Sequence, residues 1–276
     1  MRVVKILNNN ALLAVSAEGT EYVYLASGIG FANKAGQSLC PKEGQKRYKL
    51  TSAEQEQLAS TGVEAIYLEL SAAILSLAQE KFPDADSNIL LPLADHIAFA
   101  IARIRNQVEI VNPFVQDICL LFPEEYAIAT KGAALITAKT GVGINADEIS
   151  YIALHIHSAI TAEHVQMSLQ VVEGIKTFVR EMEEDYHIVI RYDSIAYTRL
   201  VTHIKFMIAR IHSGEMLGVD MNDYTKENFV FAYEKALCLM QTLEQITKAK
   251  FQKNEIGYLA LHIERVIQAT LTGENA

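Results

Sequence analysis

Histidine is the residue type whose spacing says most in this chain. The stretch Leu93-Ala94-Asp95-His96-Ile97-Ala98-Phe99-Ala100-Ile101-Ala102-Arg103-Ile104 returns 107 residues later as Leu200-Val201-Thr202-His203-Ile204-Lys205-Phe206-Met207-Ile208-Ala209-Arg210-Ile211, identical at eight of twelve positions. The block from Glu148 to Ile156 returns at the same offset as Glu255 to Ile263, and Phe122 and Tyr126 return as Phe229 and Tyr233. One period that recovers three separated blocks marks an internal duplication. It sets four of the eight histidines, His96, His155, His203 and His262, at matching places. On a helix beginning near Leu93, His96, Ala100 and Arg103 share a face, and His203, Met207 and Arg210 repeat it.

Several chemistries can be weighed for these rings. A metal site needs converging ligands, but His155 and His157 are two apart on a helix and point in different directions. No Cys/Asp cluster supports them, and neither a metal nor a cofactor is expected. No GxSxG, HExxH or Walker loop is present, and Gly28-Ile29-Gly30 lacks the third glycine of a dinucleotide loop. An enzyme is therefore not expected. One remaining reading is a half-buried histidine packed in a bundle core and inherited by both copies. The other is a phosphoryl acceptor, because an imidazole with an unperturbed pKa of about 6.5 is a competent nucleophile at neutral pH. The added dianion would find an arginine or repel an acidic neighbour. Arg103 and Arg210 are candidate partners, and Asp95 is the acidic neighbour of His96.

The elements that must position these rings are helical. Apolar periodicity predicts helices over Val63 to Lys81, Leu93 to Arg105, Glu124 to Thr140 and Ala146 to Ile160, followed by counterparts in the second copy. Pro83, Pro92, Pro113 and Pro123 are read as lying between them. The first fifty residues differ. Val3 to Leu7, Ala11 to Ser16, Glu21 to Leu25 and Lys46 to Leu50 read as short strands, with breakers at Asn8-Asn9-Asn10 and Glu18-Gly19. Thr51-Ser52-Ala53-Glu54 resembles a helix cap opening the joint to the body. A head this small makes a marginal core unaided, so its sheet is expected to be completed by a second chain, as a dimer.

Composition bounds the class. Half of the 276 residues are hydrophobic and 21% are charged, as in a folded rather than a disordered chain. No apolar run is read as approaching a membrane span, and no secretory signal is recognised, so a cytoplasmic location is expected. Three dispersed cysteines suggest no disulfide framework. Residues 1–50 carry seven basic and three acidic side chains, whereas the remainder carries 17 basic and 30 acidic. A basic head on an acidic body hints that only the head meets a polyanion. In that head Asn8 and Asn10 offer amides to base edges, or simply turn the chain. Gly28 and Gly30 allow close approach of a sugar-phosphate backbone, and Phe31 offers a stacking face in the style of RNA readout.

These pieces resemble the BglG/LicT/SacY-type transcriptional antiterminators over essentially the whole chain. The resemblance is carried by Lys5-Ile6-Leu7-Asn8-Asn9-Asn10 and Gly28-Ile29-Gly30-Phe31 in the head. In the body it is carried by Asp95 to Ile101, Asn112-Pro113-Phe114, Phe122 to Tyr126, Ile149 to His155, Arg199 to Phe206 and Leu261 to Val266. It implies a multidomain protein: a small all-β RNA-binding domain over 1–56, then two duplicated all-α bundles over 62–170 and 171–276. It further implies that Lys5, Asn8, Asn10, Gly28, Gly30 and Phe31 contact an RNA hairpin in a nascent mRNA leader and so prevent a terminator from forming. By the same resemblance a sugar-specific permease component of the phosphotransferase system would phosphorylate His96 and His155, with an inhibitory result. The general carrier HPr would phosphorylate His203 and His262 and favour the closed homodimer. The chain departs from many relatives at Ala26 and Ser27, where glycine and a basic residue often stand. His157 resembles the glucose branch, whereas Leu200-Val201-Thr202-His203 resembles the β-glucoside and sucrose branch. The alternative is a DNA-binding or protein-interaction regulator using the same phosphorylatable modules, against which the strand-patterned head argues.

Overall fold

The computed structural model describes residues 1–8, 11–26, 28–41, 45–49, 65–108, 110–161 and 164–272. Its first elements are strands β1 (Arg2–Asn8), β2 (Ala11–Val15), β3 (Glu21–Leu25) and β4 (Lys46–Lys49). They form an antiparallel sheet in the order β1-β2-β3-β4; short connections impose the order of the first three, and a long segment from Leu25 to Lys46 returns the chain beside β3. The register runs from Arg2 opposite Val15 to Asn8 opposite Ala11, with irregularities between Val3 and Lys5 and between Ile6 and Asn8. Val3, Leu12, Ala14, Tyr24, Ile29 and Leu39 are buried together, while Met1, Ile6, Tyr22 and Ala26 pack around them. The strands read from the sequence are thus present. The Thr51-Ser52-Ala53-Glu54 cap lies outside the described residues.

The body is helical: α1 (Ala65–Lys81), α2 (Leu90–Arg105), α3 (Val115–Leu121), α4 (Pro123–Thr140), α5 (Ala146–Thr161), α6 (Val165–Tyr186), α7 (Ile195–Ser213), α8 (Asn222–Asn228), α9 (Val230–Thr247) and α10 (Glu255–Thr272). One compact unit comprises Met1–Asn112 with Glu124–Glu163; the other comprises Pro113–Pro123 with His164–Ala276. In the first, α2 buries Leu93, Ala94, Ile97, Ala100 and Ile101, the stripe of an amphipathic helix. Gly132 of α4 lets α1 approach so closely that a Cβ there would stand 2.8 Å from Ile74 Cγ1. In the second, Leu200, Ile204, Leu239, Leu243, Leu259 and Ile263 are buried. Ser194 accepts a hydrogen bond from the Tyr197 amide at 3.1 Å to cap α7, and Gly214 ends that helix in the left-handed region.

Three sequence expectations need correction. Pro92 lies inside α2, not before it. It occupies the first turn, where its missing N–H has no intrahelical acceptor to lose. The short helices α3 and α8 fall where no helix was expected, because seven residues hold too few turns for a periodicity to register. Third, Ser87–Arg105 has the length and mean hydropathy (1.2) to cross a membrane, and 44% of it is buried within the fold. That share, with His96 and Arg103 on the same stretch, makes it the core helix of a bundle.

The duplicated short helices are treated differently by the fold. Where α8 begins, Met221 lies against Gly257 of α10: a Cβ on Gly257 would stand 2.6 Å from the Met221 carbonyl carbon. The residue 107 positions earlier is Ser150, whose hydroxyl accepts from Asn112 Nδ2 at 2.6 Å. α3, the counterpart of α8, belongs to the second compact unit, where Tyr197 of α7 donates to Asp117 Oδ1 at 2.6 Å. Gly257→Val should accordingly destabilise the second unit by about 3 kcal/mol, the upper end of the usual cost of overpacking. Urea unfolding measures this; a loss below about 0.5 kcal/mol would mean α8 does not press on α10.

Candidate functional site

Each duplicated module builds the same constellation from two helices. In the first, α2 supplies His96 and, two turns on, Arg103; α5 supplies Glu148, Tyr151 and His155. The residues at i, i+3 and i+7 of α5 share one face, so a single stripe meets the histidine stripe of α2. Arg103 Nη2 donates to both carboxylate oxygens of Glu148, at 2.9 and 3.1 Å. Glu148 Oε2 also lies 3.3 Å from His96 Nε2. The ring centroids of His96 and His155 are 5.3 Å apart, and Tyr151 lies 5.8 Å from His96.

The second module repeats this. Arg210 Nε donates to Glu255 Oε1 at 2.6 Å and its Nη2 to Oε2 at 2.9 Å. His203 Nε2 lies 3.3 Å from Glu255 Oε2, and the centroids of His203 and His262 are 4.9 Å apart. Glu148 and Glu255 stand in the first turns of α5 and α10, where the helix N-terminus favours a carboxylate. Both are almost wholly enclosed, at 1% exposure.

Burial sets the protonation of one ring in each module. Burial, followed by the charge of His96, pushes the His155 ring down to about 3. Burial, helped by His203, Arg265 and Arg199, pushes His262 down to about 4. Both are neutral at pH 7 and keep a free nitrogen lone pair. Burial alone would raise the Glu148 and Glu255 carboxyls, but their histidine and arginine partners outweigh it and hold them below the usual range. They stay ionised beside His96 and His203.

The structure brings His96 to His155 and His203 to His262. Arg103 and Arg210 meet the intervening glutamates rather than the rings. Asp95 is half-buried next to His96 on α2, and Thr202 replaces it in the second copy. His157 faces away from His155 and pairs with Glu125 Oε1 at 3.0 Å. Sequence reasoning missed Glu148 and Glu255 as site residues, although both open a repeated block; a charged residue retained at a buried helix start was the available signal.

In the head, Lys5 is exposed on β1 and Asn8 ends that strand. Asn10 lies outside the described residues, as does the side chain of Asn8. Gly28 takes a positive φ of 71° in a turn whose carbonyl accepts from the Phe31 and Ala32 amides. Gly30 is buried, and Phe31 is 89% exposed at the turn's end. An aromatic ring so bare is available for stacking.

Comparison with known proteins agrees with this plan. The PRD domain model matches residues 69–159 and 176–266, two matches whose starts are 107 residues apart, and the CAT RNA binding domain model matches residues 1–57. The chain is 29% identical over 275 residues to "Transcription antiterminator LicT" of Bacillus subtilis, covering 97% of this chain and 99% of the relative. It is 31% identical to the "PtsGHI operon antiterminator" of the same organism, covering 96% of each. Among solved structures, "Crystal structure of GlcT CAT-PRDI" matches 58% of this chain and 98% of that one at 35% identity, with a TM-score of 0.45. The chain therefore belongs to the BglG/LicT-type transcription antiterminators, regulators built from a CAT RNA-binding domain and two PRD domains.

Proposed function

We propose that this protein binds an RNA hairpin in a nascent mRNA leader, prevents the overlapping terminator from forming, and is switched by histidine phosphorylation. The head, taken as residues 1–56, contacts RNA through Lys5, Asn8, Asn10, Gly28, Gly30 and Phe31, as part of a cytoplasmic homodimer. Residues 62–170 and 171–276 act as regulatory modules. A sugar-specific permease component of the phosphotransferase system modifies His96 and His155 and inhibits; HPr modifies His203 and His262 and activates.

The observation that supports this reading best is the duplicated pair of facing histidines beside an ionised, arginine-held glutamate. A phosphoryl group there adds up to two negative charges beside a buried carboxylate. The arginine must then be shared between them, so helix packing responds to the modification. Moving a two-state dimer from mostly off to mostly on takes roughly 5.5 kcal/mol, a range that several charge-assisted bonds can supply.

A terminator–reporter fusion tests the reading. His203→Ala is expected to lower readthrough several-fold, and His96→Ala to raise it when sugar is absent. Unchanged readthrough in both variants would sink the assignment. A gel shift should show binding to the hairpin RNA and none to duplex DNA of the same sequence.

A further inference from the structure

We propose that Glu148 and Glu255 decide which ring nitrogen accepts the phosphoryl group, so that His96 and His203 are modified on Nδ1 whereas His262 is modified on Nε2. This rests on the reading above that these histidines are acceptors. It adds a regiochemistry and a positioning role for two residues outside that reading.

The geometry is the same in both copies. His96 Nε2 and His203 Nε2 are buried, and each lies 3.3 Å from a carboxylate oxygen, close enough for its charge to act although the pair lacks the alignment of a hydrogen bond. The rings themselves are 15% and 11% exposed, so what reaches solvent is the remainder of each ring. An ionised carboxylate facing one nitrogen favours the tautomer that carries its proton there, as the aspartate does in a Ser-His-Asp triad. The lone pair is then on Nδ1. The arginine keeps the carboxylate ionised and fixes its direction, with two bonds to Glu148 and two to Glu255.

His262 is set the other way. Its Nδ1 is the buried nitrogen, and among the described residues no carboxylate lies within ion-pair distance of it, unlike His96 and His203. Nε2 is the nitrogen it can offer.

The transfer balances without moving a proton. The Nδ1 lone pair of His203 attacks phosphorus on a donor phosphohistidine as the donor's P–N bond breaks, and that electron pair returns to the donor ring. The acceptor becomes a phosphoimidazolium that retains its Nε2 proton, and Glu255 stabilises the new positive charge. A bound carboxylate thus favours the product as well as the tautomer.

The test uses the full-length chain with ¹⁵N-labelled histidine. It is phosphorylated by HPr with phosphoenolpyruvate and its phosphotransfer enzyme, and separately by phosphoramidate. NMR of the product distinguishes the two phosphohistidine isomers. With His262→Gln, the label should be on Nδ1 of His203; with His203→Gln, it should be on Nε2 of His262. Adding Glu255→Gln to the His262→Gln chain should slow labelling roughly tenfold or more and let the Nε2 isomer appear. Glu255→Asp, which keeps the charge, should retain Nδ1.

Nε2 labelling of His203 beside native Glu255 overturns the proposal, as does an unaltered isomer in folded Glu255→Gln. If that variant does not fold, the native regiochemistry still decides. Labelling on the expected nitrogens by phosphoramidate but not by HPr would uphold this inference and overturn the proposed donor. No labelling by either overturns both.

Discussion

Replacing Glu255 with alanine is expected to destabilise the second compact unit by about 3–5 kcal/mol, the usual result of stripping one partner from a buried ion pair. Glu255 is 1% exposed and holds both the Arg210 guanidinium and the edge of His203. Without it Arg210, whose side chain is 13% exposed, is left charged with little access to water. The equivalent Glu148→Ala should cost less. Arg103 is 29% exposed, so water can replace part of what the carboxylate supplied. A double change, Glu255→Ala with Arg210→Met, should recover much of the loss, because it removes the stranded charge with its partner. Chemical denaturation of the three variants checks this; a double variant no more stable than Glu255→Ala would show that the carboxylate's packing rather than its charge mattered.

Much of this fold can be read in the chain because its signals are local or repeated. The head's alternation from Glu21 to Leu25 is the pattern of a half-buried strand, and β3 lies there. The spacing of His96 and Arg103, echoed by His203 and Arg210, needs only the pitch of a helix to put them on one face. What the spacing does not carry is the distance between them. Seven residues of helix rise about 10 Å, too far for an arginine to reach the ring directly. The bridge is a glutamate 45 positions on, from a different helix. Pairings between helices depend on packing, and no periodicity within one helix encodes them. The same reason hides the placement of α3. Nothing in Val115–Leu121 says that it groups with the second unit, and the contrast between Ser150 and Gly257 acquires meaning only when α8 is seen pressed against α10.

Acidification from pH 7 to pH 5 should lower the melting temperature of this protein, and the two buried rings should account for it. His155 is pushed down to about 3 and His262 to about 4, both chiefly by burial. In the unfolded chain each titrates near 6.5. Between those values the unfolded state binds a proton that the native ring refuses, so stability falls as the pH falls. The loss begins below about pH 6.5 and continues to the folded values. At pH 5 it amounts to at most roughly 2 kcal/mol per ring, less whatever solvent reaches them. Glu148 and Glu255 act in the same direction but in a lower window: their depressed carboxyls contribute stability above the ordinary glutamate range, lost only as the pH drops through it. Burial raises the Asp117 carboxyl, which acts in the opposite sense, so the histidine contribution is read from the difference between the native chain and a variant lacking the two rings. Melting curves of the native chain and of His155→Gln with His262→Gln measure the difference, and the double variant should show a much flatter profile across that interval. A native melting temperature that holds steady or rises on acidification would mean the rings accept protons in place, and that neither is held as the neutral nucleophile this switch requires.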